Sequence, residues 1–412
     1  MKRTSRSALK GSLFAAALLA AAGLTTPRPA SAAEHHYKVF LDLSYSGNVW
    51  QTAAANGIKA EAHTPPYDKM ITFKEVISGT DVQHQISDLQ SMIAAGANAI
   101  IFYPVSPTGL NRVVEEACKR GILMFTYESS VTAPCAYNIN ALTEHYGANA
   151  AQWMVNEMHG RGELVINHGV AGTALTRLMT SEIMPVFERY PDIKIVSKFF
   201  GNWNDAVSEE AVTKVLAAHP NIDAIWSVDG TYGSLQAVLR HRPDRLVVIA
   251  GQANNGYRLL IGNKEMQAKG LKGLSAWAGP AEGSYTFKLM MEELTGQAKL
   301  AGHQIAYPLD WVSYKNIKMC TGDSFVNGCN VFPADKVPPL FIDTSLSEEL
   351  VPELDLKAVQ TGEAKPGAHI EKLPPVKYGT DLPGINCQHC KAPAGWQDTT
   401  FIKPIPVPPK AH

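Results

Sequence analysis

The sequence predicts an α/β fold of two doubly wound parallel-sheet lobes, followed by a proline-rich C-terminal extension. Short apolar segments alternate with segments of helical periodicity, which is the pattern of βαβ units with helices on both faces of a parallel sheet. This alternation runs through the chain twice. With 412 residues, 45% of them hydrophobic, the chain is long enough for two or three domains and too apolar to be disordered over most of its length.

The first series of elements runs from residue 38 to residue 127. Residues 98–103 (NAIIFY) are apolar almost throughout, as in a strand buried on both faces. Residues 81–95 have apolar side chains at three- and four-residue spacing, and Gly96 ends this helix. The predicted strands are 38–43, a weaker one at 70–77, 98–103 and 122–127, and the predicted helices are 51–62, 81–95 and 108–120.

The second series repeats this rhythm from residue 142 to residue 250. Residues 246–250 (LVVIA) are again a short apolar run that is typical of a buried strand. The predicted strands are 163–167, 193–199, 222–227 and 246–250, and the predicted helices are 142–158, 175–190, 207–218 and 232–240. Two successive series of this kind indicate two lobes.

Residues 1–33 have the organisation of a secretory signal peptide. Four basic residues precede residue 11, residues 13–24 are apolar, and Ala30-Ser31-Ala32 offers a cleavage site near Ala32. A membrane anchor would need about 20 apolar residues. The mature chain is therefore predicted to be exported, soluble and periplasmic.

The charge balance gives no reason to expect a nucleic acid partner. The chain has 37 Lys and Arg against 38 Asp and Glu, and its formal net charge is -1. All the charged residues among the first 33 are basic, so the mature chain is more acidic than the whole. Nucleic acid binding needs a basic surface.

Residues 335–412 differ in character from the two series. They are rich in proline, including Pro338-Pro339 and Pro374-Pro375, and have little periodicity. Such a composition does not support an independent core. We expect this stretch to wrap over the lobes.

The chain has six cysteines, all after the signal segment, and export would allow them to be oxidised. Six cysteines permit 15 pairings, and the sequence alone does not choose among them. The simplest hypothesis pairs nearest neighbours, namely Cys118 with Cys135, Cys320 with Cys329, and Cys387 with Cys390. Cys387 and Cys390 could instead form a redox or metal motif, but no second C-x-x-C is present. A structural disulfide is favoured.

Candidate binding residues follow the predicted strands, because ligands of open parallel sheets bind beyond the carboxyl ends of the strands. They are Ser44, Tyr45, Asn48, Trp50, Glu128, Ser129, Arg177, Trp203, Asn204, Asp229 and Gln252. Aromatic rings stack on the C–H face of a sugar, while carboxylate, amide and guanidinium groups bond its hydroxyls. The set contains no nucleophile paired with a base, so we predict neither an enzyme nor a cofactor.

Three of these residues also have a structural interpretation. Trp203 could cover a hydrophobic edge, and Arg177 could be a solvated charge on a helix. Asp229 could cap the helix that follows Gly230. A cavity shared by these side chains would favour the binding role.

Several segments together resemble the ribose-binding-like class of periplasmic solute-binding proteins. They are D-x-x-H-x-I-x-D-L from residue 81, GANAIIFYPVSPT at 96–108, CKRGILMFTYE at 118–128, GVAGTALTR at 169–177 and AHPNIDAIW at 218–226. The resemblance covers roughly residues 37–315. It implies two lobes joined by a three-crossing hinge, a ligand in the cleft, and delivery of that ligand to the permease of an ABC transporter.

The resemblance also implies where the lobes begin and end. The first lobe would comprise residues 34–138 and 278–306, and the second residues 139–277 and 307–334. The crossings are expected near Asn138–Asn140, Leu274–Ala278 and Tyr307–Trp311. Residues 335–412 have no counterpart in the short members of the class.

Carried over to this chain, the resemblance assigns binding contacts to Asn48, Trp50, Glu128, Arg177, Trp203 and Asp229. The chain departs from the family pattern at three places. Glu128-Ser129 replaces an Asp-Arg pair, Gln252 lies where a later Asp is usual, and Trp277 or Ala278 replaces a Gln at the second crossing. We therefore expect a more aromatic and less charged pocket, for a cyclic polyol, an amino-sugar derivative, a disaccharide or an aromatic metabolite.

The predicted function is that of a monomeric periplasmic receptor that binds a sugar-like molecule and delivers it to an ABC importer. One alternative is a sensory binding protein for a membrane receptor. Another is a redox or metal protein that uses Cys387 and Cys390. A neighbouring permease gene would favour transport, and thiol titration would test the redox alternative.

Overall fold

Two six-stranded sheets form the centre of the molecule. The computed structural model describes residues 36–46, 48–140, 146–308, 310–323, 325, 328–342, 347–378 and 402–407. The strands are β1 (Tyr37–Leu43), β2 (Ile71–Ile77), β3 (Ala99–Phe102), β4 (Leu123–Tyr127), β5 (Tyr137–Asn140), β6 (Gly162–His168), β7 (Ile193–Phe200), β8 (Ala224–Ser227), β9 (Val248–Gly251), β10 (Lys272–Trp277), β11 (Gln304–Ala306) and β12 (Asp310–Ser313).

Helices connect these strands and cover the sheets. They are α1 (Val49–Ala62), α2 (Tyr67–Met70), α3 (Val82–Ala94), α4 (Asn111–Lys119), α5 (Tyr146–Glu157), α6 (Ala174–Glu188), α7 (Asp205–Ala218), α8 (Thr231–His241), α9 (Asn255–Gly262), α10 (Lys264–Ala268), α11 (Ala281–Thr295), α12 (Ser347–Leu350) and α13 (Leu356–Thr361). Among the helices of the described segments, none is long and apolar enough to cross a membrane.

The first sheet has the strand order β11-β5-β4-β3-β1-β2, and its neighbouring strands are all parallel. Both of its faces are buried. On β3, Ile101 packs into the hydrophobic cluster on one face, while Ile100 and Phe102 pack into the cluster on the other. This alternation explains why the strand is apolar almost throughout.

The second sheet has the order β12-β10-β9-β8-β6-β7. Its strands are parallel except β12, which runs antiparallel to β10 at the edge. On β8, Ile225 and Trp226 pack into clusters on opposite faces. The predicted fold class, two doubly wound α/β lobes with mostly parallel sheets, is confirmed.

The chain passes between the two sheets three times. It leaves the first sheet after Asn140, because β5 pairs with β4 and β11 whereas α5 packs on α6 and β9. It returns between Trp277 and Ala281 and leaves again between Ala306 and Asp310. The boundary expected between residues 138 and 139 falls inside β5, so we propose a lobe boundary after Asn140.

The segment after β12 is bonded to the second lobe through α9. The Asn255 side chain donates to Phe332 O (3.0 Å) and accepts from Phe332 N (2.7 Å), and the Asn255 N–H donates to Phe341 O. Arg258, which is fully buried, donates to Asn330 O (2.9 Å) and to Asp310 Oδ2 (2.9 Å). These bonds fix residues 330–342 on the second lobe.

The same segment continues onto the first lobe. Phe332 and Phe341 share a hydrophobic cluster with Ala60 of α1, Ala281 of α11 and residues 351–359. The Asn56 side chain on α1 donates to the carbonyls of Val359 and Gln360. The described residues of 330–378, namely 330–342 and 347–378, therefore contact both lobes, and we call them the C-terminal brace. Residues 402–407 return to the second lobe, where Ile405 O accepts from Tyr190.

A charged cluster lies beneath the C-terminal brace. Lys288 of α11 forms an ion pair with Glu353 (2.6 Å), and both side chains are at most 1% exposed. Glu61 of α1 is also fully buried there. Burial and the neighbouring Glu353 raise the pKa of Glu61, while Lys288 opposes this rise. The C-terminal brace thus places a carboxylate beside a buried lysine of the first lobe.

Two of the expected disulfides are confirmed. Cys118 pairs with Cys135, which connects α4 to the loop before β5, and Cys320 pairs with Cys329 in the loop that follows β12. Cys387 and Cys390 lie outside the described residues, as does the predicted signal peptide of residues 1–33.

Candidate functional site: a pocket between the two sheets

A narrow pocket lies where the carboxyl ends of both sets of parallel strands meet. It is lined by Asn48, Trp50, Gln51, Tyr103, Glu128, Leu175, Trp203, Val228, Asp229, Gln252 and Trp277. Five of these residues lie within two positions after the end of a strand, as the rule for ligand sites in open parallel sheets requires; they are Tyr103, Glu128, Val228, Asp229 and Gln252. The pocket holds about 270 Å³ of space, counting its opening to solvent.

The start of α1 forms one wall of the pocket. The Asn48 side chain caps this helix by accepting from Gln51 N (2.8 Å). The Trp50 ring stacks on Tyr127, with 6.1 Å between centroids and 10° between planes, and its indole N–H donates to Ala278 O (2.8 Å). Ala278 follows β10, in the segment where the chain returns from the second sheet to the first. This bond therefore attaches the start of α1 to that connecting segment.

Glu128 extends from the end of β4 in a strained conformation. Its φ of 56° is left-handed, and its N–H donates to Glu282 Oε1 (2.7 Å) on α11. Its own Oε1 accepts from the Trp277 indole (2.9 Å). Burial raises the pKa of Glu128 to about 7, although the bonds from Trp277 and Tyr103 oppose this rise.

The raised pKa of Glu128 predicts a pH effect on stability. Between its ordinary pKa of 4.5 and about 7, the folded chain keeps a proton that the unfolded chain loses, so stability falls as the pH rises through this window. Glu128→Gln cannot lose this proton. We expect the variant to gain up to about 3 kcal/mol over the native chain between pH 4.5 and pH 8.

Urea unfolding of both proteins at these two pH values measures this gain. Glu188→Gln on the exposed face of α6 is the control, and its difference from the native chain should stay constant. A pH-independent difference for Glu128→Gln would contradict the prediction.

Trp203 forms the opposite wall of the pocket. It follows β7 with a left-handed φ of 53°, and the Tyr45 ring meets it edge-on at 5.7 Å. A Cβ on Gly169 would lie 2.2 Å from Trp203 Nε1, so the indole can occupy this place only beside glycine. Two of the four described non-glycine residues with left-handed φ, Glu128 and Trp203, line the pocket. Such strain is concentrated at functional sites.

Asp229 follows β8 and is only 5% exposed. Its carboxylate accepts from Gly230 N. In the orientation that satisfies both groups, the Gln252 amide nitrogen also donates to it, at 2.5 Å and 3.2 Å from the two oxygens. Burial raises the pKa of Asp229, and the nearby charge of Asp205 raises it further.

The pocket brings together seven of the twelve residues that the sequence indicated. They are Asn48, Trp50, Glu128, Trp203, Asp229, Gln252 and Trp277. Tyr45 is not among the lining residues but supports one of them, Trp203. The helix cap that was considered for Asp229 is not observed, because Gly230 is the N-cap of α8 and the Asp229 side chain accepts from the Gly230 N–H rather than from an N–H group in the first turn of the helix.

The other four indicated residues lie elsewhere. Arg177 is exposed, whereas Leu175 on the same helix lines the pocket. Because two residues along a helix correspond to a rotation of about 200°, these two side chains lie on nearly opposite faces of α6. Ser129 Oγ donates to Pro104 O (3.1 Å), and Asn204 caps α7 by accepting from Val207 N (3.0 Å). Ser44 is buried, and its hydroxyl has no partner among the described residues.

Four lining residues were not predicted. They are Gln51, Tyr103, Leu175 and Val228. Tyr103 ends the segment NAIIFY, so the rule for strand ends could have identified it. Gln51 and Val228 adjoin predicted residues, whereas Leu175 gives no chemical signal because it is an ordinary helix residue.

The two lobes and the pocket between them define a solute-binding protein. The family model for the periplasmic binding protein domain matches residues 39–298. The chain therefore belongs to the periplasmic binding protein family, as the resemblance implied. The relatives in this family are binding proteins, so the chain is a binding protein and not an enzyme.

Individual relatives agree with this assignment. The xylitol-binding protein of Mycolicibacterium smegmatis is 31% identical over 39% of this chain, and the match spans only 47% of that protein. The ribose import binding protein RbsB of Bacillus subtilis is 24% identical over 60% of this chain and 81% of its own length. A solved ABC transporter solute binding protein from Thermobispora bispora has the same fold, with a TM-score of 0.63, 21% identity, and coverage of 81% of this chain and 99% of that one.

Proposed function

We propose that this protein is the periplasmic solute-binding component of an ABC importer and that it binds a sugar or a polyol in the pocket between its lobes. The observation that carries the proposal is the joint lining of one pocket by side chains from both sheets. Such a pocket closes on a solute only when the two lobes come together. The names of the relatives, which bind xylitol and ribose, support a small hydroxylated ligand.

The lining chemistry supports the same class of ligand. Trp50, Trp203 and Trp277 offer ring faces, and Asn48, Gln51 and Gln252 offer amides for hydroxyl groups. The pocket is a narrow space that opens to solvent. It favours a single ring or an open-chain polyol over a disaccharide.

We further propose that the liganded, closed form is presented to a permease in the cytoplasmic membrane after the signal peptide of residues 1–33 has been removed. A sensory partner would use the same binding step, and no feature of the described residues favours it. The redox alternative depends on Cys387 and Cys390, which lie outside the described residues. Co-purification of the liganded protein with a permease, but not of the unliganded protein, would test delivery.

Thermal-shift screening of pentoses, hexoses, pentitols and inositols tests the binding step. A solute at a hundred times its Kd should stabilise the fold by about 2.7 kcal/mol. Tryptophan fluorescence gives an independent reading, because three indoles line the pocket. If no sugar or polyol changes either signal, the proposal is wrong.

We expect Trp203→Ala to weaken binding of the best solute at least about tenfold, since loss of a central buried aromatic contact commonly costs more than 1 kcal/mol. Phe200→Ala is the matched control, because this aromatic ends β7 close to Trp203 in sequence but is 48% exposed and outside the lining. Isothermal titration calorimetry measures both variants. Equal affinities would remove Trp203 from the binding site.

A further inference from the structure

We propose that the solute bound in this pocket carries a positively charged amine, as an amino sugar or an aminocyclitol does. The inference rests on the proposed function, because it takes the pocket to be the place where a small hydroxylated solute binds. It adds the charge of that solute. Three features of the lining support it, namely its acids, its ring faces and its amides.

The lining contains two carboxyl groups and, among the described residues that form it, no Lys, Arg or His. Glu128 reaches the pocket from the first lobe, and Asp229 reaches it from the second. Two further acids lie close to these carboxyl groups. Glu282 accepts a hydrogen bond from the Glu128 N–H, and the negative charge of Asp205 raises the pKa of Asp229. Arg177, the one cation expected here, is exposed and outside the lining.

The hydrogen bonds that the two carboxyl groups accept come from neutral donors. Glu128 accepts from the Trp277 indole, and Asp229 accepts from the Gln252 amide and the Gly230 N–H. A buried carboxylate held in this way loses hydration without gaining a counter-charge. The pKa of both groups is raised, in each case first by burial. A ligand ammonium group would supply the missing charge.

Aromatic rings add a second attraction for a cation. Trp50, Trp203 and Trp277 all line the pocket, together with Tyr103. The face of an indole ring attracts ammonium groups more strongly than other aromatic faces do. This attraction grows when the cation is desolvated, and the three indole side chains are at most 8% exposed.

The amides restrict the class of amine. Asn48, Gln51 and Gln252 line the same small space, and amide groups bond hydroxyls well. A simple alkylammonium ion would leave these groups without ligand partners. A single ring that bears both hydroxyls and one amine meets the acids, the rings and the amides together.

Calorimetric titration of the full chain at pH 7 with matched pairs tests the inference. The pairs are glucosamine with glucose, galactosamine with galactose, and scyllo-inosamine with myo-inositol. N-acetylglucosamine keeps the glucosamine ring but removes the charge. In the pair that contains the tightest ligand, we expect the amine to bind at least about tenfold more tightly than its neutral partner, since a desolvated cation gains both charge and ring contacts.

Two isosteric variants identify the source of this preference. Asp229→Asn and Glu128→Gln should each weaken binding of the amine at least about tenfold, and should change binding of the neutral partner much less, because only the charge is removed. Glu188→Gln, which removes an exposed carboxyl group from α6, is the control and should leave both affinities unchanged.

Proton release gives an independent measurement. An ammonium group favours the ionised form of the two lining carboxyls, so binding of the amine at pH 6.5 should release protons into the solution. The groups that face these carboxyls are Tyr103, Tyr127, Glu282, Asp205 and Tyr45. Titrations in phosphate and in imidazole buffer should therefore give different apparent enthalpies for the amine.

The outcomes separate the two proposals. If the neutral member of the deciding pair binds as tightly as the amine or more tightly, this inference is overturned and the proposed function stands. If neither member of any pair binds and no other sugar or polyol does, both proposals are overturned. An amine preference that survives in Asp229→Asn and in Glu128→Gln would also overturn the inference, because the acids would not be its cause.

Discussion

Replacing Lys288 with methionine is expected to lower the free energy of unfolding by about 3–5 kcal/mol, because removal of one partner from a buried ion pair leaves an uncompensated charge. Lys288 and Glu353 are both almost fully buried, and Glu61 is a second acid beside them. Methionine keeps most of the volume of the lysine side chain, so little of the loss would come from a cavity. Urea unfolding at pH 7.5 measures the effect.

Lys357→Met is the matched control for this experiment. Lys357 pairs with Glu363 at a similar distance of 2.6 Å, but these side chains are 67% and 63% exposed. Exposed pairs contribute about 0–1 kcal/mol, so this variant should be close to the native chain. Acidification should reduce the deficit of Lys288→Met, since protonation neutralises the buried acids. Equal losses in the two variants at pH 7.5 would show that burial of the pair does not matter.

Ending the chain after residue 342 is expected to have an even larger effect. This truncation removes Val351, Leu354, Leu356 and Val359, which are all buried against α1 and α11. At about 1.5 kcal/mol or more for each large aliphatic side chain, the loss is at least about 6 kcal/mol. A typical domain has only about 5–15 kcal/mol of stability in total. The truncated protein should be largely unfolded or aggregated at 25 °C.

A second truncation, after residue 378, keeps the C-terminal brace and is the control. It loses residues 402–407, for which the structure shows two bonds to the second lobe, from Tyr190 to Ile405 O and from Asn156 to Lys403 O. Circular dichroism and thermal melting compare the two proteins. A chain that ends at residue 342 and melts cooperatively near the native temperature would refute the assigned role of the C-terminal brace.

The sequence predicted central strands such as β3 and β9 because each of them is buried on both faces. Segments such as NAIIFY are consequently apolar at both odd and even positions, and their short length and their β-branched and aromatic residues favour a strand over a helix. The strands β5, β10 and β11 were not predicted, and neither was the edge strand β12. Its four residues, from Asp310 to Ser313, are mostly only half-buried. They therefore form no continuous apolar run, and they are too few to show an alternating pattern of apolar and polar residues.

Site residues were predictable where the strand end alone fixes the position of the side chain. Glu128, Asp229 and Gln252 follow their strands closely and line the pocket. Arg177 does not, because its direction depends on the rotational phase of α6, which begins at Ala174. Ser129 is turned towards Pro104 after the left-handed Glu128. Neither the phase of a helix nor a left-handed φ can be read from residue types alone.

The contacts that the C-terminal brace makes with both lobes have a kinetic consequence. On the proposed function, a solute enters the pocket while the lobes are apart, and we expect their separation to displace either the bonds to α9 or the packing on α1 and α11. The rates at which a solute is captured and released thus depend on side chains far from the solute itself. Substitutions where the C-terminal brace contacts the lobes should change the residence time of the solute. The order of affinities for competing solutes should stay the same, because the residues that line the pocket determine it.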